Sequence, residues 1–243
     1  MPQLTWLSAE HAPDFPNTES ALEQPEGLLA VGGQLSTEWL LSAYERGIFP
    51  WFSEGEPIMW WSPAPRMVLK PGSAHISRSL RKAFKKSNIE IKVNHSFETV
   101  IQYCSDESLR SEGTWITSDM KDAYIQLHLD GWAHSIEVYE AQELIGGLYG
   151  IGIQGLFFGE SMFSLSSNAS KYAFIALSEW AKAEGLALID CQLYNPYLDS
   201  LGAMEISRDE FESKLPTQRN RLPLVDKPNI TELLRTKLLQ FSE

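Results

Sequence analysis

The sequence predicts an α+β protein, with a small N-terminal lobe followed by a larger domain whose sheet is mostly antiparallel and carries one crossover. Three observations predict it. Pro63 and Pro65, two apart, disfavour both helix and central strand and set a boundary near residues 62–66. Beyond it, residues 135–139, 143–149 and 156–163 read as strands in succession. A single helical stretch from about 168 to 184 then leads to an apolar strand at 188–193, the order expected of a crossover onto an existing sheet. At 243 residues and 43% hydrophobic content, the chain can fill two unequal units, taken as 1–65 and 66–243.

Along the N-terminal lobe, Ser36-Thr37-Glu38 starts a helix that places Trp39, Leu40, Ala43 and Tyr44 on one side, and Gly47 ends it. Trp39, Trp51, Trp60 and Trp61 fall within 23 positions, enough rings for a lobe core or seam and for the floor of a ligand pocket. After the boundary, residues 67–69 read as a short strand. Ile76, Leu80, Ala83 and Phe84 recur at helical spacing behind Ser77 as N-cap. Residues 89–93 alternate as a strand, and 96–104 and 118–130 fit helices. Gly146, Gly147, Gly150, Gly152 and Gly155 punctuate the next strands and suit hairpins and bulges better than a phosphate cradle. The crossover helix starts near Asn168 and stops at Gly185, and residues 230–241 form an amphipathic helix in the tail.

The net charge of −12 opposes indiscriminate binding to nucleic acid. Its distribution is uneven, however: Arg78, Arg81, Lys82, Lys85 and Lys86 crowd nine positions without an acid, giving one helix a cationic outer face. Only Cys104 and Cys191 are present, and the five histidines form no ligand pattern, so neither a disulfide framework nor a metal site is expected. No apolar run reaches the roughly 18 residues of a membrane span, and the acidic first thirty residues lack a signal core. The chain reads as soluble and cytoplasmic.

Chemistry concentrates at two strands. In Leu188-Ile189-Asp190-Cys191-Gln192-Leu193 a period of two sets Asp190 and Gln192 on one face, with Ile189, Cys191 and Leu193 on an apolar back. In residues 156–163 the single carboxylate, Glu160, shares a face with Phe158 and Met162. If the strands adjoin, Glu160, Asp190 and Gln192 surround a cavity suited to a bulky apolar group and an amine together; the competing reading pairs Glu160 with Arg66 or Arg208. Cys191, on the apolar back, behaves as an inert hydrophobe, and no Gly-x-Ser-x-Gly elbow exists, so covalent catalysis has little support. The start of the crossover helix, with Ser166, Ser167, Ser170 and Lys171, can attract an anion.

Nine blocks carry a resemblance in consistent order. They are Pro25 to Gly33 (PEGLLAVGG), Tyr44 to Phe52 (YERGIFPWF), Trp60-Trp61-Ser62-Pro63 with Arg66, His75-Ile76-Ser77-Arg78-Ser79, and Glu112-Gly113-Thr114-Trp115-Ile116-Thr117. They continue with His134-Ser135-Ile136-Glu137, Gly159-Glu160-Ser161-Met162-Phe163-Ser164, Asn168-Ala169-Ser170-Lys171 and Leu188-Ile189-Asp190-Cys191-Gln192. Jointly these resemble the leucyl/phenylalanyl-tRNA–protein transferases.

The resemblance implies an acetyltransferase-like C-terminal domain. It also implies transfer of leucine or phenylalanine, less readily methionine, from aminoacyl-tRNA to proteins with N-terminal Arg or Lys, marking them for degradation, by a monomer that uses no cofactor. It assigns catalysis to Asp190 and Gln192. By position it gives Trp51, Trp115, Tyr124, Leu148, Phe157, Met162, Leu177 and Ile189 as pocket candidates, with Tyr44, Glu160 and Asn195 as polar walls. The helix bearing Arg78, Arg81, Lys82, Lys85 and Lys86 becomes the leading dock for the tRNA acceptor stem, with Ser167, Ser170 and Lys171 as a second phosphate site. In the expected reaction Gln192 accepts a hydrogen bond from the attacking amine, Asp190 orients the carboxamide, and Asp190 or the leaving ribose oxygen takes the proton. Two rivals are a coenzyme A-dependent N-acetyltransferase, whose usual glycine-rich pyrophosphate signature is missing before Asn168, and a non-catalytic aromatic-rich binding module.

Overall fold

The computed structural model describes residues 4–109, 113–153, 155–215, 219–220 and 229–239; Glu112 and the end of the tail helix expected at Phe241 lie outside them. The chain begins with a small sheet. Strands β1 (Thr5–Leu7) and β2 (Leu28–Gly32) pair in parallel, helix α1 (Thr37–Tyr44) follows, and β3 (Phe49–Pro50) and β4 (Met59–Trp61) complete the order β1-β2-β4-β3. Helix α1 drives Trp39, Leu40, Ala43 and Tyr44 into the core as its spacing predicts. Trp39 and Trp60 close around Phe15 with ring centroids 5.6 and 4.9 Å away, and Trp61 is also buried. Trp51 alone of the four tryptophans is substantially exposed, at 39%.

A second sheet begins at Arg66. In chain order its domain contains β5 (Arg66–Leu69), α2 (Arg78–Phe84), β6 (Ile89–Val93), α3 (Phe97–Cys104), α4 (Ser118–Leu129), β7 (Ala133–Glu140), β8 (Glu143–Ile153) and β9 (Leu156–Ser164). There follow α5 (Ala169–Ala183), β10 (Leu188–Gln192), α6 (Pro196–Ser200), β11 (Met204–Ile206), α7 (Arg208–Glu212) and α8 (Ile230–Leu239). The sheet order is β11-β5-β10-β9-β8-β7-β6, and β9 with β10, joined through α5, is its parallel pair. One face packs against the N-terminal lobe, α3 and α4; the other is covered by α5, α2 and α8. Ile230, Leu234 and Leu238, on one side of α8, are wholly buried against that second face.

Some local expectations shift. Ser77 caps α2 as predicted, its hydroxyl accepting from the Leu80 amide, but the helix ends at Phe84, leaving Lys85 at its C-cap and Lys86 beyond. Asn168 does precede α5, yet it sits in the left-handed region at φ 69° and makes no side-chain cap, so its role is a backbone reversal. The short elements α6, β11 and α7 are too brief for periodicity to reveal.

Two bulges matter most. Tyr149 pairs with Ser161 and Gly150 with Gly159, so Glu160 is an extra residue in β9. Asp190 pairs with Val68 and Gln192 with Met67, so Cys191 is an extra residue in β10. The first bulge breaks the expected alignment of Phe158, Glu160 and Met162: Phe158 packs toward the N-terminal lobe and Met162 toward the α5 side. Gly150 permits this bulge, since a Cβ there would collide with the Phe158 carbonyl oxygen and stand 2.6 Å from the Phe157 ring. Gly150→Ala is therefore expected to destabilise the protein by about 1–3 kcal/mol, measured as a lowered urea midpoint, with a mutant as stable as the parent counting against a required bulge.

Candidate active site

Parallel pairing of β9 with β10 extends from Leu188 opposite Leu156 only as far as Asp190 opposite Phe158. Beyond that register the strands part, and the gap opens into a cavity of about 700 Å³. Because the cavity passes between the strands, it is lined from both faces of the sheet. Ile189 therefore reaches it from the α5 side while Asp190 reaches it from the other, which reconciles Ile189 as a pocket residue with its place on the apolar back of the strand.

Of the sequence-predicted residues, Trp51, Trp115, Leu148, Met162, Leu177, Ile189, Glu160, Asn195, Asp190 and Gln192 all line this cavity. Tyr44 and Tyr124 do not; they stand behind Glu160, fully buried, with their hydroxyls on its carboxylate. Phe157, three residues before Glu160, instead points into the α5-side core and is not among the residues lining the cavity. Asn195 has a second duty, its side-chain oxygen capping α6 by accepting from the amides of Tyr197 (2.8 Å) and Leu198 (3.3 Å). Cys191 also borders the cavity, and burial pushes its thiol well above the usual range, which disfavours the thiolate. Sequence reasoning missed Tyr103, Phe174, Tyr194 and Tyr197 as lining residues. Of these, only the adjacency of Tyr194 and Tyr197 to Asn195 was a signal available in the sequence.

At the end of the cavity, Arg66 and Asp190 form a fully buried pair. Arg66 Nε and Nη2 donate to the two carboxylate oxygens of Asp190 at 2.8 and 2.7 Å, with side-chain exposures of 1% and 0%. The guanidinium is sandwiched by Phe49 and Phe211, 4.8 and 4.6 Å from the ring centroids. Asp190 Oδ1 also accepts the backbone N–H of Gln192 at 2.9 Å, holding that residue at φ 65°. Asp190 thus fixes the backbone of Gln192, whereas the carboxamide is oriented by Glu160, whose Oε1 accepts from Gln192 Nε2 at 2.9 Å. The bulge at Cys191 explains the difference, because it turns the Gln192 side chain across to β9. Arg208, the other suggested partner of Glu160, instead donates to Ser62 Oγ and the Ser62 carbonyl, both at 2.9 Å.

Glu160 is partly exposed to the cavity and accepts from Tyr44 Oη at 2.8 Å and Tyr124 Oη at 3.0 Å; the two hydroxyl oxygens also stand within hydrogen-bond distance of each other, and each proton is spent on the carboxylate. Burial raises its pKa from 4.5 to about 7, against the lowering effect of the tyrosine hydrogen bonds. Burial first, then the nearby Glu160 charge, pushes both tyrosines well above their usual range, so they stay donors.

Of the basic residues on and after α2, Arg78, Lys82, Lys85 and Lys86 are exposed. Arg81 is turned inward, its Nη1 donating to the carbonyls of Lys237 and Leu238 at 3.1 Å, so it caps α8 rather than adding to the outer face. At the start of α5, Ser167 is exposed and Lys171 lies 6.0 Å from the Tyr197 ring centroid, but Ser170 is buried with its hydroxyl 2.9 Å from Tyr197 Oη. The amides of Ala169 and Ser170 are already taken by Ser166 O and Ser164 Oγ, which weakens this end as an anion site.

The family described as leucyl/phenylalanyl-tRNA protein transferase matches residues 68–216, and the family described as its N-terminal domain matches residues 33–64. A leucyl/phenylalanyl-tRNA–protein transferase of Pseudomonas aeruginosa is 49% identical over 92% of this chain and 98% of its own. One from Saccharophagus degradans is 51% identical over 88% of each. Among solved structures, an aminoglycoside acetyltransferase from an uncultured soil metagenomic sample aligns with 55% of this chain and 91% of its own, at 12% identity and a TM-score of 0.35.

Asp190→Asn leaves the buried Arg66 guanidinium without its counter-charge, and is expected to cost about 3–5 kcal/mol in urea denaturation. Replacing both partners, Arg66→Met with Asp190→Leu, is expected to recover most of that loss. Equal destabilisation by the single and double variants would contradict a paired charge at this site.

Proposed function

Because the chain belongs to the leucyl/phenylalanyl-tRNA–protein transferase family and is an aminoacyltransferase, we propose that it moves leucine or phenylalanine, and less readily methionine, from aminoacyl-tRNA to the α-amine of proteins with N-terminal Arg or Lys. The products are thereby marked for degradation. The enzyme acts as a monomer in the cytoplasm, where aminoacyl-tRNA is made; among the described residues no helix is long and apolar enough to cross a membrane.

The observation that carries the reading is the division of the cavity wall. Trp115, Leu148, Met162, Leu177 and Ile189 supply a deep apolar side suited to a leucyl, phenylalanyl or methionyl side chain. Glu160, Gln192 and Asn195 supply a polar side suited to an amine and an ester. In the reaction the substrate amine attacks the ester carbonyl, and no enzyme nucleophile is needed. With Gln192 Nε2 committed to Glu160, the carboxamide oxygen is the end that accepts from the amine. Asp190 acts through the Gln192 backbone, and Arg66 holds Asp190.

Electrostatics select the partners. Arg78, Lys82, Lys85 and Lys86 engage the phosphates of the acceptor stem, with Ser167 and Lys171 as an accessory contact. The remaining acidic surface, within a net charge of −12, rejects other RNA and favours a cationic N-terminus at the acceptor site.

Incubation with labelled leucyl-tRNA and a peptide beginning with arginine is expected to yield a leucyl-peptide. Acetylation of the same peptide from acetyl-CoA, with no leucyl product, would favour the acetyltransferase reading and defeat this one. Lys82→Ala, Lys85→Ala and Lys86→Ala combined are expected to weaken aminoacyl-tRNA binding at low salt and to flatten the log–log salt dependence by about 1 per cation removed. An unchanged slope in filter binding would move the tRNA dock elsewhere.

A further inference from the structure

Resting on the transferase reading, we infer that Glu160 is the catalytic residue that takes the proton from the attacking α-amine and returns it to the departing ribose oxygen. The other groups at the site are unsuited to that task. Both oxygens of Asp190 are engaged, Oδ1 by Arg66 Nε and the Gln192 amide and Oδ2 by Arg66 Nη2, so a proton there would break the ion pair and strand a buried guanidinium. Gln192 carries a carboxamide, which has no useful basicity. The Cys191 thiol and the Tyr44 and Tyr124 hydroxyls are held protonated by burial.

Glu160 has the required position. Its bulge thrusts it from β9 into the cavity beside the Gln192 carboxamide, 2.9 Å from Nε2, so an amine bound to the carboxamide oxygen lies next to the carboxylate. Oε1 accepts two hydrogen bonds, from Tyr44 and Gln192, whereas Oε2 accepts one, from Tyr124, and keeps a lone pair for the substrate. Its pKa of about 7 suits a group that must both gain and lose a proton near neutral pH. The charged and titratable groups facing it are Tyr44 on α1, Tyr124 on α4, Asp190 on β10 and Arg66 on β5, with Tyr149 on β8 against the Tyr124 ring. Of these, the Asp190 charge raises its pKa and the Arg66 charge and tyrosine hydroxyls lower it.

The balance closes. A neutral α-amine adds to the ester carbonyl, forming the C–N bond and a tetrahedral adduct with a cationic nitrogen. The Glu160 carboxylate takes that nitrogen's proton. As the C–O bond to the ribose breaks and its electron pair goes to oxygen, the protonated Glu160 donates to it. The amide and the free ribose hydroxyl leave, and the carboxylate is restored.

The test is steady-state and single-turnover transfer of leucine from leucyl-tRNA to an arginine-starting peptide, across pH 5.5 to 9, with filter binding of leucyl-tRNA alongside. In the parent, kcat is expected to fall as pH drops through about 7. Glu160→Gln is expected to lower kcat by about 100- to 10,000-fold, to leave leucyl-tRNA affinity within about threefold, and to abolish the inflection near 7. Glu160→Asp, which keeps a carboxylate but draws it back, is expected to lose up to about 100-fold in kcat and to retain an inflection; it carries the test if the glutamine variant melts. A Glu160→Gln enzyme that keeps the inflection, or whose loss lies equally in tRNA affinity, overturns the inference while leaving the transferase reading intact. A parent enzyme that forms no leucyl-peptide defeats the transferase reading itself.

Discussion

The site depends on one buried ion pair. Arg66 is the first residue of β5 in the second sheet, immediately after Pro63 and Pro65. Its guanidinium joins Asp190 of β10 while lying between Phe49 of the lobe's sheet and Phe211 of α7. Four separate segments thus meet at one cation. From Asp190 the constraint passes to the Gln192 backbone, from the Gln192 carboxamide to Glu160, and from Glu160 to Tyr44 and Tyr124. Desolvating two charges is costly, and the compensation here is bidentate geometry, two aromatic faces and a further backbone donor. The pair contributes position more than net stability.

The sheet adds the second constraint. A regular β9–β10 ladder would bury its backbone along its whole length and leave no room for a substrate. The two bulges, at Glu160 and Cys191, and the parting of the strands after Phe158 and Asp190 convert a closed core into an opening with an apolar and a polar wall. An extra residue in a strand reverses the facing of everything after it. That reversal sends Met162 to one wall and leaves Glu160 on the other.

Much of this was legible in the sequence. The three successive strands, the crossover helix and the apolar strand holding Asp190 and Gln192 all follow from periodicity and turn chemistry, because each is local. The pocket residues came from block resemblance, and Leu148, Leu177 and Ile189 could not have been grouped by spacing. Three things were hidden for physical reasons. Period-two reasoning cannot register an inserted residue, so Met162 was assigned to the face of Phe158. Arg66 and Asp190 are 124 positions apart, and nothing in either neighbourhood states that they pair. Arg81 belongs by spacing to a cationic face, but its use as the cap of α8 depends on a helix that begins near residue 230.

The hydroxyls on Glu160 come from α1 and α4, which precede and follow Pro63 and Pro65 in the chain, and each donates to one oxygen of the carboxylate. Tyr44 is one of three side chains that donate to the Glu160 carboxylate, with Tyr124 and Gln192, and it is the one contributed by the first sheet's half of the chain. The surroundings of Glu160 are therefore a property of the completed assembly rather than of the larger sheet alone.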